Sequence, residues 1–156
     1  MKYIRLTKEQ LEDLHKEFAE FLANQKIDVK EWAAIKKSKQ KMAEEELDIF
    51  SDLVWEDVLT KTRYLEHFSK TQIDLFKCSP TSIHRLVIKI SIPNFDFFND
   101  KDYKWFLEHP SHKKITYLQA AKKYKIERNL ELFDLIQKGS TISKGELYKT
   151  ILIHVK

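Results

Sequence analysis

The sequence predicts an α+β protein: a helical N-terminal half, a small antiparallel β-sheet at about residues 72–98, and a helical C-terminal part packed on it. Three observations carry this expectation. A helix-start pattern recurs along the chain, an apolar residue before a capping residue and another apolar residue four positions after the cap. The stretch from Met42 to Phe68 places Leu47, Phe50, Val54 and Val58 at helical spacing. By contrast, Leu86, Ile88, Ile90 and Ile92 alternate with Val87, Lys89 and Ser91, the period of a strand.

The first helix is predicted over Thr7–Ala23, with Thr7 as cap and Gln10 placed to close a capping box. Leu11, Leu14, Phe18, Phe21 and Leu22 share one of its sides. Asn24-Gln25-Lys26 is a turn, and Asp28 with Glu31 starts a second helix that carries Trp32 and Ile35. Lys36, Lys37, Lys39 and Lys41 then read as a solvated connection. In the central helix Ile49, Leu53 and Trp55 widen the apolar stripe, so packing on more than one side is expected. The remaining arc carries Glu45, Asp48, Asp52 and Glu56, again three and four apart. Thr60, flanked by Leu59 and Tyr64, marks a short helix near Thr60–Phe68.

After Ser69 the pattern turns to strands over Gln72–Cys78 and Ile83–Ile92, joined by a hairpin at Ser79-Pro80-Thr81-Ser82. Phe95–Phe98 is a candidate third strand. Asn99 starts a helix with Asp100 and Asp102 in its first turn, favourable at the positive end. That helix ends near Glu108, because Pro110 disfavours helical geometry at His109. Thr116 with Gln119, and Ser143 with Glu146, mark two further helix starts, and Gly139 is placed as a helix C-cap. No repeat, low-complexity tract or linker interrupts residues 1–156, so a single globular domain is expected.

Composition removes several classes of function. With one cysteine, Cys78, no internal disulfide can form, as in a reducing compartment. The opening MKYIRLTKEQ lacks an apolar signal-peptide core, and no apolar run approaches the roughly 18 residues of a membrane span. A cytoplasmic protein with no membrane association is expected. Only Gly139 and Gly145 are glycines, too few for a dinucleotide fingerprint, whose turn needs three close together. No phosphate loop or nucleophile elbow occurs. Glu12 and His15 have the spacing of a carboxylate-bridged di-iron ligand pair, but no second pair exists. His109 and His112 flank Pro110 after a helix stop. No metal, cofactor or catalytic residue is therefore assigned. Cys78 could pair with His67 or His84 as a nucleophile, but nothing in its surroundings lowers its pKa, and a passive thiol is the better interpretation.

Charge is unevenly distributed. Residues 1–78 hold 14 Lys/Arg against 16 Asp/Glu, and residues 79–156 hold 14 against 8, so the two halves carry −2 and +6. Two surfaces follow as binding candidates. One is the acid stripe Glu45, Asp48, Asp52 and Glu56, for a protein partner, with reversal of Asp48 and Asp52 expected to leave the fold intact. The other is the basic set Lys113, Lys114, Lys122, Lys123, Lys125 and Arg128, with Tyr117 and Tyr124 nearby, for RNA. Residues 116–138 are only superficially like a helix-turn-helix. Lys125 stands at the turn, and Glu127, Glu131 and Asp134 would face phosphates. The edge around Trp105 and Phe106 is a third exposed surface.

The segments MKYIRLTKEQLEDLHKEFAEFLA, EEELDIFSDLVWEDVLTKTRYLEHFS and LIQKGSTISKGELYK resemble a family of small bacterial proteins of unknown function, and the resemblance spans nearly the whole chain. It implies one intact domain and transfers no activity, substrate or site residue. The sequence thus predicts a non-enzymatic domain that binds another macromolecule, with a protein partner first. An RNA- or ribosome-associated factor is the alternative, and a small hydrolase with an unrecognised site comes third.

Overall fold

The computed structural model describes residues 1–155 and is α+β. It contains two compact units, Met1–Thr60 and the chain from Lys61 onward.

The first unit is helical: α1 (Lys8–Asp13), α2 (His15–Asn24), α3 (Val29–Ser38) and α4 (Gln40–Lys61). Thr7 and Gln10 form the capping box at α1, and the Asp28 side chain accepts from the Glu31 N–H at α3. The single helix expected over Thr7–Ala23 is interrupted at Leu14 (φ −103°, ψ 24°), which is why α1 and α2 are separate. The lysine connection is shorter than expected. Only Lys39 leaves helical geometry, and Lys41 already lies in α4. Side chains from three helices meet in an aromatic cluster. Phe18 contacts Trp32 edge-on at 5.1 Å between centroids, and Phe50 lies 5.0 Å from Phe18 and 5.4 Å from Phe21. Such pairs add about 0.5–1.5 kcal/mol each beyond their buried area. The widened stripe expected on α4 is narrower in fact: Phe50 is buried, but Ile49 and Leu53 are half exposed.

The second unit is built on a five-stranded sheet of order β4-β3-β2-β1-β5, every neighbouring pair antiparallel. Its strands are β1 (Tyr64–Phe68), β2 (Gln72–Cys78), β3 (Ser82–Ile90), β4 (Ile115–Lys123) and β5 (Thr141–Ser143). The β2–β3 hairpin turns at Ser79–Ser82 as predicted, closed by the Ser79 N–H on the Ser82 carbonyl at 2.9 Å. The helices are α5 (Asp100–Glu108), α6 (Arg128–Gln137) and α7 (Glu146–Leu152). Ile73 and Leu75 of β2 and Leu86, Ile88 and Ile90 of β3 point to one sheet face. There they form the core with Phe95, Phe97, Phe106, Tyr148 and Ile151.

Three expectations are corrected by the sheet. Residues 64–68, expected in a short helix, are β1, where Tyr64, Glu66 and Phe68 alternate with Leu65 and His67 across five paired positions. The helix expected from Thr116 is β4, paired with β3 over nine positions. Ala120-Ala121-Lys122-Lys123 favour helix locally, but propensity is worth at most several tenths of a kcal/mol per residue and tertiary pairing overrides it. Phe95–Phe98 is not a strand but an irregular segment that delivers two phenylalanines to the core.

Two glycines are used for what only glycine does easily. Gly139 (φ +111°) ends α6 in a double-bonded cap, its own N–H on Ile136 and the Ser140 N–H on Leu135. Gly145 (φ +79°), rather than the expected Ser143, precedes α7. A Cβ there would sit 2.5 Å from the Tyr64 ring.

Candidate functional site

The strand pairing places Phe76, Arg85 and Ala120 in one row, and Ile83 and Lys122 in the next, on the sheet face opposite the core. Against that face α6 presents Glu131, Asp134 and Leu135. Between them lies an open cleft of about 640 Å³. Its floor is largely apolar, from Phe76, Ile83 and Ala120, with the Arg85 guanidinium over the Phe76 ring at 6.0 Å, and Ile126 lies half exposed at its lip. The rim is charged with both signs. Glu131 accepts from the Lys125 backbone N–H at 2.6 Å and lies 3.6 Å from the Lys122 ammonium, while Asp134 pairs with Lys138 at 2.9 Å. An apolar floor with a polar rim fits one or two apolar side chains carried on a polar chain.

Beside the cleft runs β4, one edge of the sheet. From Thr116 to Lys123 only Tyr117 is partly buried, its hydroxyl donating to the Pro110 carbonyl at 2.5 Å and its pKa pushed up to about 12 by burial. At its first residue the Ile115 N–H donates to the His112 carbonyl at 3.0 Å, and from Thr116 to Lys123 no other described segment hydrogen-bonds to the backbone of β4 on the side away from β3.

The six basic candidates are divided between the two ends of β4, the segment after it and the start of α6. Lys113 and Lys114 precede β4, and Lys122 and Lys123 end it, so they are separated by roughly 25 Å of strand at 3.3 Å per residue. Lys122 and Lys123 point to opposite sheet faces. Arg128 turns inward at the start of α6. Its guanidinium donates to the carbonyls of Thr62, Cys78 (3.2 Å) and Ser79 (3.3 Å) and to the Asn129 side chain (2.8 Å).

The acid stripe of the first unit has an occupant, the chain's own N-terminal segment. Asp52 accepts the backbone N–H groups of Lys2 at 2.7 Å and Tyr3 at 2.9 Å. Glu56 accepts from the Tyr3 hydroxyl and the Lys2 ammonium, and Asp48 accepts from the Arg5 guanidinium at 2.6 Å. Burial, then Glu56, pushes the Tyr3 hydroxyl up to about 12, and the Arg5 hydrogen bond holds Asp48 below its ordinary range. Asp48, Asp52 and Glu56 are partly buried, and Glu45 is exposed. Its neighbour Glu46 is buried and accepts from the Gln25 amide at 2.8 Å.

Cys78 is buried in the sheet, and burial pushes its thiol up to about 11, with Arg128 only partly opposing the shift. His84 projects from the opposite face, and His67 stands across from Asp74, so neither candidate base reaches the sulfur. At neutral pH such a thiol carries almost no thiolate and is a poor nucleophile. Asp74 is a site the sequence analysis missed. This buried carboxylate accepts from the Arg85 Nε at 2.9 Å and the Gln72 amide at 3.1 Å, with His67 at 4.0 Å. The signal was available, since Gln72 and Asp74 are two apart in a strand and therefore share a face. Phe106 proves fully buried rather than exposed. Trp105 is half-buried and stacked on His109 at 4.9 Å. Among the described residues no group of three or more His, Cys, Asp or Glu is placed to hold a metal ion, and no helix is long and apolar enough to cross a membrane.

A second recess, of about 520 Å³, opens on the core side of the sheet beside β5, where Glu66 lies near Tyr103, Leu107 and Leu147. Burial raises the Glu66 pKa. Folding therefore favours protonated Glu66. The stabilisation is complete below the unfolded carboxyl pKa, about 4.3, and is lost as pH rises through the folded-state value. Glu66→Gln is accordingly expected to raise Tm at pH 7 by no more than a few degrees and to leave it unchanged near pH 4. Thermal melts of both proteins at the two pH values check this, and a variant less stable at pH 7 contradicts it.

Fold and surfaces together define an α+β protein with an apolar cleft beside an open sheet edge. The chain belongs to a family of unknown function (DUF6495), whose model matches residues 1–156. No curated protein and no solved structure matches it.

Proposed function

We propose that the protein is a cytoplasmic, non-enzymatic, single-domain binding protein whose partner is another protein, held at the cleft between α6 and the β2–β4 face. The observation that supports this most is the combination of an apolar floor, a rim of both charge signs and an exposed, largely uncharged strand alongside. A protein surface can fill such a cleft with one apolar anchor while the rim sets orientation. RNA association through the exposed lysines is the second reading, favoured by Lys113 and Lys114 at one end of β4 and Lys122, Lys123 and Lys125 at the other.

Capture from native lysate, with mass spectrometry and nuclease controls, tests the proposal. Ala120→Glu puts a charge on the cleft floor at an exposed position, where changes stay within about 0.5 kcal/mol of stability. Partner recovery is expected to fall at least tenfold in that variant and to resist nuclease. Recovery unchanged by Ala120→Glu excludes the cleft, and recovery abolished by nuclease favours RNA.

A further inference from the structure

We infer that β4 is a docking edge for an extended acidic peptide, which adds to the sheet as a sixth strand and drops an apolar side chain into the neighbouring cleft. This rests on the reading of the cleft as a protein-binding site and names the chemistry of the partner.

The edge itself is the first reason. Alternate N–H and C=O groups of an edge strand point away from the sheet, ready to pair with another chain. Proteins usually block such edges by shortness, proline, bulges or charges. The opposite edge, β5, is blunted by its length of three residues. β4 is nine residues long, and Thr116–Ala121 contains no charge, proline or glycine. That leaves roughly 20 Å of unprotected strand at 3.3 Å per residue, with Leu118 half exposed on the cleft side of the sheet.

Charge chooses among occupants. Lys113 and Lys114 stand before the uncharged stretch, and Lys122, Lys123 and Lys125 after it. A second copy of this chain, paired edge to edge in either direction, would set lysines against lysines, and like charges opposite one another disfavour pairing. A peptide with Asp or Glu on both sides of a short alternating apolar stretch meets attraction at both ends and hydrogen bonds between them. A nucleic acid would find the phosphate-binding charges split by that uncharged stretch. Tyr117, the aromatic within it, is half-buried with its hydroxyl committed to Pro110. Strand addition of this kind draws affinity from the main chain and specificity from alternate side-chain pockets.

The test is selection of phage-displayed random dodecapeptides on the whole protein, followed by amide hydrogen exchange with an enriched synthetic peptide. Enriched sequences are expected to carry acidic residues around an alternating apolar core and to slow exchange at alternate amides of Thr116–Lys123. Lys114→Glu with Lys123→Glu, one reversal at each end of β4, should weaken binding about tenfold or more. Peptides lost on Ala120→Glu but leaving β4 exchange unchanged would overturn strand addition while the cleft keeps its role in protein binding. Failure to enrich any peptide overturns strand addition, and lysate capture by the Ala120→Glu variant then decides the broader reading separately. Enrichment of basic peptides, preferential binding of oligouridylate over the acidic peptide, or slowed β4 exchange on self-dimerisation also overturns it.

Discussion

Arg128→Ala is expected to lower the stability of the unit from Lys61 onward by about 3–4 kcal/mol, the largest effect of any single substitution considered. The guanidinium satisfies three backbone carbonyls from two separate connections, Thr62 between α4 and β1, and Cys78 and Ser79 at the β2–β3 turn. Hydrogen bonds to charged groups contribute about 1.5–3 kcal/mol each, and removing the donor takes this bond from the Thr62 and Cys78 carbonyls, whereas the Ser79 carbonyl keeps the Tyr124 hydroxyl at 2.7 Å. The bonds are not independent, so the total falls well short of their sum. Arg128→Lys keeps the charge but cannot offer the same fork to carbonyls in different directions, and should recover less than half of the loss. Urea unfolding followed at the sheet checks both values. A cost below about 1 kcal/mol would mean that the guanidinium behaves as an ordinary surface cation. It also follows that Arg128 is the wrong residue with which to probe RNA binding, because its reversal would disturb the fold first. Lys114 and Lys123, both exposed, are suitable positions.

What was legible in the sequence was local. Thr7, Asp28 and Asn99 cap helices through bonds to residues two or three positions on, so a short pattern contains the whole interaction. Thr60, Thr116 and Ser143 have the same pattern but do not cap helices. Around Tyr64 and across β4 the deciding partners are strands far along the chain, and β1 meets β5 only across the gap from Leu65 to Ile142. The β2–β3 hairpin was legible for the same reason that the caps were, since its strands are separated by one short turn. Site prediction divided similarly. The acid stripe on α4 is a real feature of one helix, legible from spacing. That Lys2, Tyr3 and Arg5 occupy it depends on folding across more than forty residues, which no window reveals. The cleft was invisible, because Phe76, Ala120 and Leu135 come together only once β4 is known to be a strand.

Asp52→Lys is expected to cost the first unit about 2–3 kcal/mol, although charge reversal at this position would pass for a harmless surface change on sequence grounds. Asp52 is unlike a surface ion-pair partner, for which about 0–1 kcal/mol is usual. Its two carboxylate oxygens accept two successive backbone N–H groups, from Lys2 and Tyr3, which lie outside helix and strand. They also hold in place the buried Tyr3, and burying a side chain of that size contributes about 1.5–3 kcal/mol, while the buried Leu6 has its own anchor, its N–H on the Ser51 hydroxyl at 3.0 Å. Lysine at position 52 removes both acceptors and brings a cation against Lys2. The freed segment regains chain entropy, which offsets part of the loss. Asp52→Asn keeps one acceptor oxygen and should cost about 1 kcal/mol. Glu45→Lys, on the exposed part of the same stripe, should stay within about 0.5 kcal/mol. Urea midpoints order the three variants. Amide exchange at Lys2, Tyr3 and Leu6, with tryptic cleavage after Arg5, reports whether the segment has come off. A stable Asp52→Lys protein with those amides still protected would show that the burial of Tyr3 and Leu6 holds the segment without Asp52. If the segment is released as expected, any partner of the acid stripe must first displace Lys2, Tyr3 and Arg5. Binding there would then strengthen in Asp52→Asn through Glu45 and Glu56, whereas binding at the α6 cleft would be unchanged.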